Sequence, residues 1–415
     1  MKAMNTTTEA PQRHKGALML IFFVVLMDLI GMTILTPVAA YIVRQYSTEA
    51  LMVSLLTVIY AAAQFFAAPL LGKLSDRVGR RPVLLISILG SAAGYFLFGI
   101  GGALWVLFLS RLIDGFTGGN ISTASAYLAD VTPPEKRAKN FGLLGMAFGL
   151  GFILGPTLGG LLSQISLSAP AYAAGLASLI SAIVGFFLLP ESLPQDKRET
   201  APLQLGELNP FPVIWEMLRR PIVGPLLLVM CVFLFVFDGR NSILTVFLID
   251  KFGVQPTQLA ALFATGGLVM AIVQGGLIGP LVKRYGEKQL GLSGLISQAI
   301  MSIGLYLAPA FWMLFPLNAL TSGASGLIWP TLGALISNSV PQAELGKVNG
   351  VNTALGSLMS VCGPLWAGVM YDNVSSSAPF WMGAIILIVG CVMLLRLKIA
   401  AHADRPTYTQ PIVES

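Results

Sequence analysis

Apolar residues fall in long unbroken runs separated by short polar segments. Runs of about 18 or more, long enough to cross a bilayer as a helix, lie at 17–43, 51–71, 82–101, 103–130, 140–164, 169–190, 221–248, 256–281, 289–309, 311–338, 347–371 and 377–397. The pattern predicts an all-α membrane protein with twelve transmembrane helices. The first run is expected to stay on the chain. It is too long for a cleaved leader, it carries Asp28, and no small-residue cleavage site closes it.

The charges in the short segments set the orientation. With the N-terminus inside, the alternating inner segments hold 21 of the 25 Lys and Arg, and the outer loops hold only Arg44 and Lys251. Positive charge is retained on the cytoplasmic side, so both termini are expected there. The chain then divides into a cytoplasmic tail (1–16), six spans (17–190), a linker (191–220), six more spans (221–397) and a second cytoplasmic tail (398–415). The linker is polar and Pro-punctuated, then turns amphipathic from Val213 to Arg220, which suits a membrane interface.

Composition narrows the picture further. Hydrophobic residues make up 55% and charged residues 11%, against about 25% charged in soluble domains. The net charge of +6 resides in loops between apolar runs rather than in a basic face, which argues against nucleic acid as a partner and for the lipid bilayer. Cys231, Cys362 and Cys391 lie inside apolar segments and His14 and His402 in the tails, so no disulfide framework and no metal site are expected.

The two sets of six spans repeat each other. Gly72–Arg81 after the second span aligns with Gly279–Lys288 after the eighth, at an offset of 207. Pro133, Gly142 and Gly155-Pro156 align with Pro341, Gly350 and Gly363-Pro364 at an offset of 208. A weaker match, Ile34-Leu35-Thr36 with Ile243-Leu244-Thr245, brings Asp238 within one residue of the counterpart of Asp28. An even number of spans per repeat makes the repeats parallel, giving two pseudo-symmetric six-helix bundles. Secondary transporters are built this way, with a substrate site between the halves. A duplicated structural or receptor protein is the plainer alternative.

Three motifs resemble the major facilitator superfamily, and within it the twelve-span drug:proton antiporters of the bacterial tetracycline-efflux type. Gly72-Lys-Leu-Ser-Asp76-Arg77-Val-Gly79-Arg80-Arg81 is similar to the loop signature G-x-L-x-D-R-x-G-R-R. Gly151-Phe-Ile-Leu-Gly155-Pro156-Thr-Leu-Gly159-Gly160 is similar to the fifth-span antiport signature G-x-x-x-G-P-x-x-G-G. Arg111-Leu-Ile-Asp114-Gly115 resembles R-x-x-Q-G in the fourth span, with Asp114 in place of Gln. The resemblance implies the major facilitator fold, a small-molecule substrate exchanged for protons, the proton gradient as energy source with no cofactor, a monomer, and a bacterial inner membrane.

In the loop, Gly79 permits a tight turn, and Asp76 can cap or charge-pair at a helix end facing the other half. The resemblance implies a gate latch that holds the outward-open state; alternatively these charges only fix topology. In the fifth span, Gly145, Gly149, Gly151, Gly155 and Gly159 let helices touch backbone to backbone, and Pro156 bends the helix. A pivot between the halves, or plain packing, follows.

Five ionisable groups fall inside spans: Asp28, Arg111, Asp114, Asp238 and Arg240. Each costs about 2.5–3.5 kcal/mol at the bilayer centre and is a functional candidate. Asp28, roughly 16 Å into its span at 1.5 Å per residue, is the leading proton-exchanging group. Arg111 and Asp114 share a helix face and are expected to pair, either as a static brace or as a partner to proton exchange. Asp238 and Arg240 cannot face each other on a regular helix. A local break at Gly239 would alter this, and Arg240 is expected to snorkel outward. Asp238 is a substrate or proton candidate.

Gln64, Asn120, Ser122, Thr123, Gln274, Gln298, Asn318, Trp329 and Asn352 are the candidate cavity lining. So sparse a polar set favours lipophilic compounds over sugars. The leading reading is therefore a non-enzymatic, proton-driven exporter of amphipathic compounds by alternating access. A proton symporter or uniporter of a small metabolite, and a non-transporting sensor on the same fold, remain alternatives. No G-x-x-x-x-G-K-[ST] loop for nucleotide is present.

Overall fold

The computed structural model describes residues 9–118, 120–133, 136–199 and 210–397. Among them there is no strand. The first half comprises α1 (Glu9–Ile34), α2 (Ala39–Val43), α3 (Ala50–Val78), α4 (Arg80–Ile100), α5 (Leu104–Thr117), α6 (Asn120–Val131), α7 (Arg137–Leu162) and α8 (Ala169–Leu188). A short helix α9 (Phe211–Leu218) leads to the second half: α10 (Val223–Phe252), α11 (Pro256–Ile272), α12 (Ile278–Tyr285), α13 (Glu287–Leu307), α14 (Leu314–Ser337), α15 (Leu345–Asn373) and α16 (Ala378–Arg396).

These elements make the twelve expected spans, with three interruptions that hydropathy does not show. The first span breaks after Ile34 and resumes as α2, with Pro37 in the intervening turn. The fourth is divided into α5 and α6, α5 closing at Gly118. The eighth contains a π-helical turn, Val273–Leu277, between α11 and α12, a feature frequent at functional sites.

Packing repeats as the sequence does. In the first half α1 lies on α7, α4 on α5 and α8, and α3 on α5; in the second α10 lies on α15, α13 on α14 and α16, and α11 on α14. The halves meet through two equivalent pairs, α3 with α15 and α7 with α11.

Glycines set the closest contacts. A Cβ on Gly155 would lie 1.9 Å from Thr33 Oγ1, and one on Gly159 2.0 Å from the Ile34 carbonyl oxygen. The Thr33 hydroxyl donates across this seam to the Gly151 carbonyl at 2.9 Å. In the second half, a Cβ on Gly363, the repeat partner of Gly155, would lie 2.3 Å from the Phe235 carbonyl oxygen. In lipid, where no hydrophobic force drives helices together, such backbone approach provides the packing energy. The fifth-span motif thus packs mainly within its own half, against α1. Gly160 alone among its glycines faces the other half, where a Cβ would lie 2.2 Å from Ala260 Cβ.

Helix α9 is the expected interfacial segment. Met217 is buried in the second-half core while Phe211 and Trp215 are exposed, and the Arg219 guanidinium sits 4.7 Å from the Trp215 ring centroid. A charge network joins this helix to the first turn of α15 and the turn before it. Lys347 donates to Glu216 at 2.6 Å, Arg220 to Glu216 at 3.1 Å, and Arg220 forks onto Glu344. The Lys347 and then the Arg220 hydrogen bonds hold Glu216 below the usual carboxylate range, and the Arg220 bonds do the same for Glu344.

Two outcomes are expected. Depressed carboxylates stabilise docking above their free value and lose that contribution as pH falls through the folded one. A spin label at Phe211→Cys should therefore report constant mobility from pH 8 to 5 and loosening only below about pH 4. Gly159→Ala should cost ~1–3 kcal/mol by overpacking, read as lowered thermal stability, whereas Gly145→Ala, where a Cβ meets open space, should be neutral.

Candidate functional site

The embedded charges of the first half gather in one place. Arg111 and Asp114, one turn apart on α5, pair at 3.2 Å with both side chains nearly inaccessible. Gly94 on α4 leaves room for Asp114, since a Cβ there would lie 3.1 Å from the Asp114 Cβ. The Ser91 hydroxyl donates to the same carboxylate. The guanidinium lies 4.9 Å from the Phe98 ring centroid and 5.4 Å from that of Tyr95, so aromatic faces do part of the work of water. Two further guanidinium nitrogens, Nε and Nη2, make no hydrogen bond. Asp28 joins from α1: its charge and that of Asp114 both act on the Tyr60 and Tyr95 hydroxyls. Gly31, one turn on, lets the Tyr95 ring lie against α1, where a Cβ would sit 3.1 Å from that ring.

Two carboxyls and one guanidinium, with Arg111 and Asp114 buried and Asp28 half-buried, leave a single negative charge when all are ionised. One proton neutralises it. That is the arrangement a proton-exchanging site needs, and Tyr60, Ser91, Tyr95 and Phe98 complete it. The sequence reading missed these four, because a hydroxyl or ring inside an apolar run is indistinguishable from packing until the helices are assembled.

The second half solves the same problem differently. Arg240 does not reach the interface as expected; it is buried at 3% exposure. It donates to Gln298 Oε1 at 2.6 Å and to Ser302 at 3.4 Å. Helix α10 runs through Gly239 without a break, so Asp238 points the other way and accepts from Ser360 on α15 at 2.6 Å. Gln298 in turn donates to the Thr321 carbonyl at 2.9 Å and to Ser325. The repeat explains the exchange. At the offsets of 207 and 209, Gly31 and Tyr95 correspond to Arg240 and Ser302: a large ring on α4 filling a gap on α1 is replaced by a long side chain on α10 filling a gap on α13.

The expected cavity lining is therefore corrected in part. Gln298 and Asn318 are 1% and 8% exposed, and the Asn318 amide donates to the Leu262 carbonyl. Thr123 is likewise buried. All three are internal to a bundle; the Gln298 and Asn318 amides are held by helix carbonyls, whereas the Thr123 hydroxyl makes no hydrogen bond among the described residues. Gln64 is half-buried and donates to the Gly118 carbonyl at 2.9 Å. Gln274 is exposed in the π turn, Ser122 is exposed and Asn352 half-buried. Trp329 is 40% exposed, in a T-shaped contact with Phe233. The side chain of Asn120 lies outside the described residues.

In the loop motif, Gly79 has φ 110° and joins α3 to α4. Its missing side chain admits Glu191, which accepts from the Arg80 and Arg81 backbone N–H groups at 2.9 and 3.2 Å. Asp76 pairs with Arg80 at 2.5 Å, and Arg80 also reaches Asp130 at 3.2 Å and Ser75 at 2.6 Å. Asp76 thus charge-pairs at a helix end, with a partner in its own half. Glu191 and Asp130 went unnoticed; both are acids at span ends beside a basic loop, which was the available signal.

The space between the halves opens at the end carrying this motif. Opposite it, a Cβ on Gly368 of α15 would lie 2.9 Å from Leu51 Cα on α3, and Ser54 lies 3.3 Å from Ser242. Along α7 and α11 the approach weakens to 3.9 Å between Gly149 and Ala271. Nearer the motif, Gly72, Gly145, Gly275, Gly276, Gly279, Gly346 and Gly350, on the same four spans, face open space.

Comparison with known proteins agrees with this architecture. The family model described as Major Facilitator Superfamily matches residues 21–315 and 241–412. The tetracycline resistance protein, class C, of Escherichia coli is 35% identical over 386 residues, 92% of this chain and 96% of that protein. Multidrug resistance protein 2 of Bacillus subtilis is 27% identical over 364 residues, covering 87% and 90%. Among solved structures, the human organic anion transporter MFSD10 (TETRAN) superposes with a TM-score of 0.71 at 25% identity, covering 92% of this chain and 99% of that one. The chain belongs to the major facilitator superfamily, a class of membrane transporters with two six-helix bundles.

A double-variant cycle tests the second-half network. Gln298→Leu strands the buried Arg240 charge and should cost about 3–5 kcal/mol, read as a large fall in thermal stability. Arg240→Met with Gln298→Leu should recover most of it; equal losses in both would exclude the pairing.

Proposed function

We propose that this protein is a proton-coupled exporter of small amphipathic compounds, tetracyclines or a wider drug set, working by alternating access as a monomer in a bacterial inner membrane with both termini cytoplasmic. The observation that carries the reading is the Asp28–Arg111–Asp114 cluster, two acids and one cation with the Arg111–Asp114 pair buried and Asp28 half-buried beside it. With the Lys- and Arg-rich loops placed inside, the open end of the structure faces the cytoplasm, so the conformation is the one that loads a substrate for export. Similarity to tetracycline and multidrug resistance proteins supports the substrate class.

In this reading a proton entering from outside reaches Asp28 or Asp114 and is released inside as Arg111, with its spare N–H groups, takes over the freed carboxylate. Asp238, which accepts a hydrogen bond from Ser360, supplies a second acid for a proton or for the substrate. Trp329, Gln64, Gln274 and Asn352 are proposed to contact the compound. The Gly151–Gly160 segment keeps α7 seated on α1 while Gly160 slides on α11. Asp76, Arg77, Arg80 and Arg81 form the latch across the halves only once the cytoplasmic end has closed; until then Asp76 stays with Arg80.

Purified protein in liposomes with an imposed proton gradient and a trapped pH dye tests this. Tetracyclines or lipophilic cations should drive proton flux opposite to drug; flux only with a sugar or organic acid would favour the importer. Asp28→Asn should abolish coupled flux in a folded, inserted protein, and full activity would remove Asp28 from the mechanism. Asp76→Asn should slow turnover while substrate binding is kept, whereas unchanged turnover would discard the latch.

A further inference from the structure

The halves meet at the far end through a compact polar clamp as well as apolar contact. Helix α3 begins at Ala50 after Glu49, which provides no side-chain cap. The first N–H groups of a helix need acceptors. Here they find one in the other half: the Asp372 carboxylate, near the end of α15, accepts from Ala50 N at 2.9 Å and Leu51 N at 2.8 Å, one oxygen to each. A carboxylate at this position also complements the positive end of the α3 dipole.

A second acid of the same half does parallel work beside it. Asp250, at the end of α10, accepts from the Arg44 guanidinium at 2.5 Å through one oxygen and from the Tyr371 hydroxyl at 2.7 Å through the other. The Tyr41 hydroxyl donates across the same boundary to the Val254 carbonyl. Gly368, one turn before Asp372, keeps α15 close enough for the cap to form. Val246 and the flanking Ile249 and Tyr371 close over the first-half residues Val38, Ile42, Val43 and Val53.

We propose that Asp372, capping α3 from the other half, and the Arg44–Asp250–Tyr371 bridge together form the outer lock of the transport cycle. They hold the outer end shut in this conformation and must release for the outward-open one. The acceptors all belong to the second half and the donors from α3 and Arg44 to the first, so rocking the halves apart breaks them together. The lock is modest in strength, because its members are partly exposed and water can replace each partner. A cycling transporter needs that, since a lock worth several orders of magnitude would trap one state. The proposal rests on the halves rocking as set out under the proposed function, but not on the identity of the substrate.

The test is made on the full-length protein in lipid nanodiscs without substrate. Cys231, Cys362 and Cys391 are replaced, and spin-label pairs are placed at Gln45→Cys with Val374→Cys on the outer end and Lys136→Cys with Lys283→Cys on the inner end. Asp372→Ala, at the typical worth of a helix cap, should raise the outer-open population about fivefold, with lengthened outer and shortened inner distances. Asp372→Asn, which keeps an acceptor oxygen, should do less. Arg44→Ala should give a smaller shift of the same kind, and Arg44→Asp with Asp250→Arg should return it towards the starting distribution. Unchanged distances in a folded Asp372→Ala protein overturn the lock, as does outer lengthening with no inner response, which would mark local fraying. Absence of drug-driven proton flux together with these shifts would count against the proposed function alone.

Discussion

A charge inside a bilayer must find its partner inside the protein, and the arrangement of both halves follows from that constraint. Water is absent, so each embedded group is either paired, held by a helix carbonyl, or faced by an aromatic ring. Arg111 is both paired and faced by rings, with Asp114 on its own helix and Phe98 and Tyr95 beside its guanidinium. Arg240 meets them with an amide and a hydroxyl instead. The positions of Ser91, Gln298 and Thr321 make sense only as answers to those charges.

Close packing provides the rigidity on which this depends. Gly155 and Gly159 bring α7 onto α1, fixing the helix that carries Asp28, and Gly239 and Gly363 do the same for α10 and Asp238. A helix that rides on backbone contact has little freedom to tilt alone. Each half is thus held together by backbone contact, and the halves meet mainly along the α3–α15 and α7–α11 seams. Those seams close at one end and stand open at the other, which is what one state of an alternating cycle requires. Charges at the two ends are used differently. At the loop motif, Asp76, Arg80, Asp130 and Glu191 bind one another within a half. At the far end, Asp250 and Asp372 bind across the boundary.

Much was legible along the chain. Twelve apolar runs, the repeat, the three motifs and the five embedded charges all follow from residue type and spacing, because a span must be apolar over its length and a charge in it is conspicuous. The amphipathic stretch before Pro221 forms α9, and Arg111 pairs with Asp114 because i and i+3 share a helix face wherever the helix lies. The interruptions at Pro37, Gly118 and the π turn at Gln274 were not visible, since hydropathy averages over them.

What the sequence determined by itself was carried by residue type and periodicity: the number of spans, their duplication, the family motifs and which ionisable groups enter the membrane. Tertiary structure decided which of them meet. Asp28 and Asp114 act on the same two tyrosines, while Arg240 turns inward to Gln298 rather than outward to water. Asp372 caps a helix more than three hundred residues away in the chain. The physical reason is that a span's hydropathy is the same whichever way it is rotated about its axis, whereas partners depend on that rotation. Only packing against the neighbouring helices sets it.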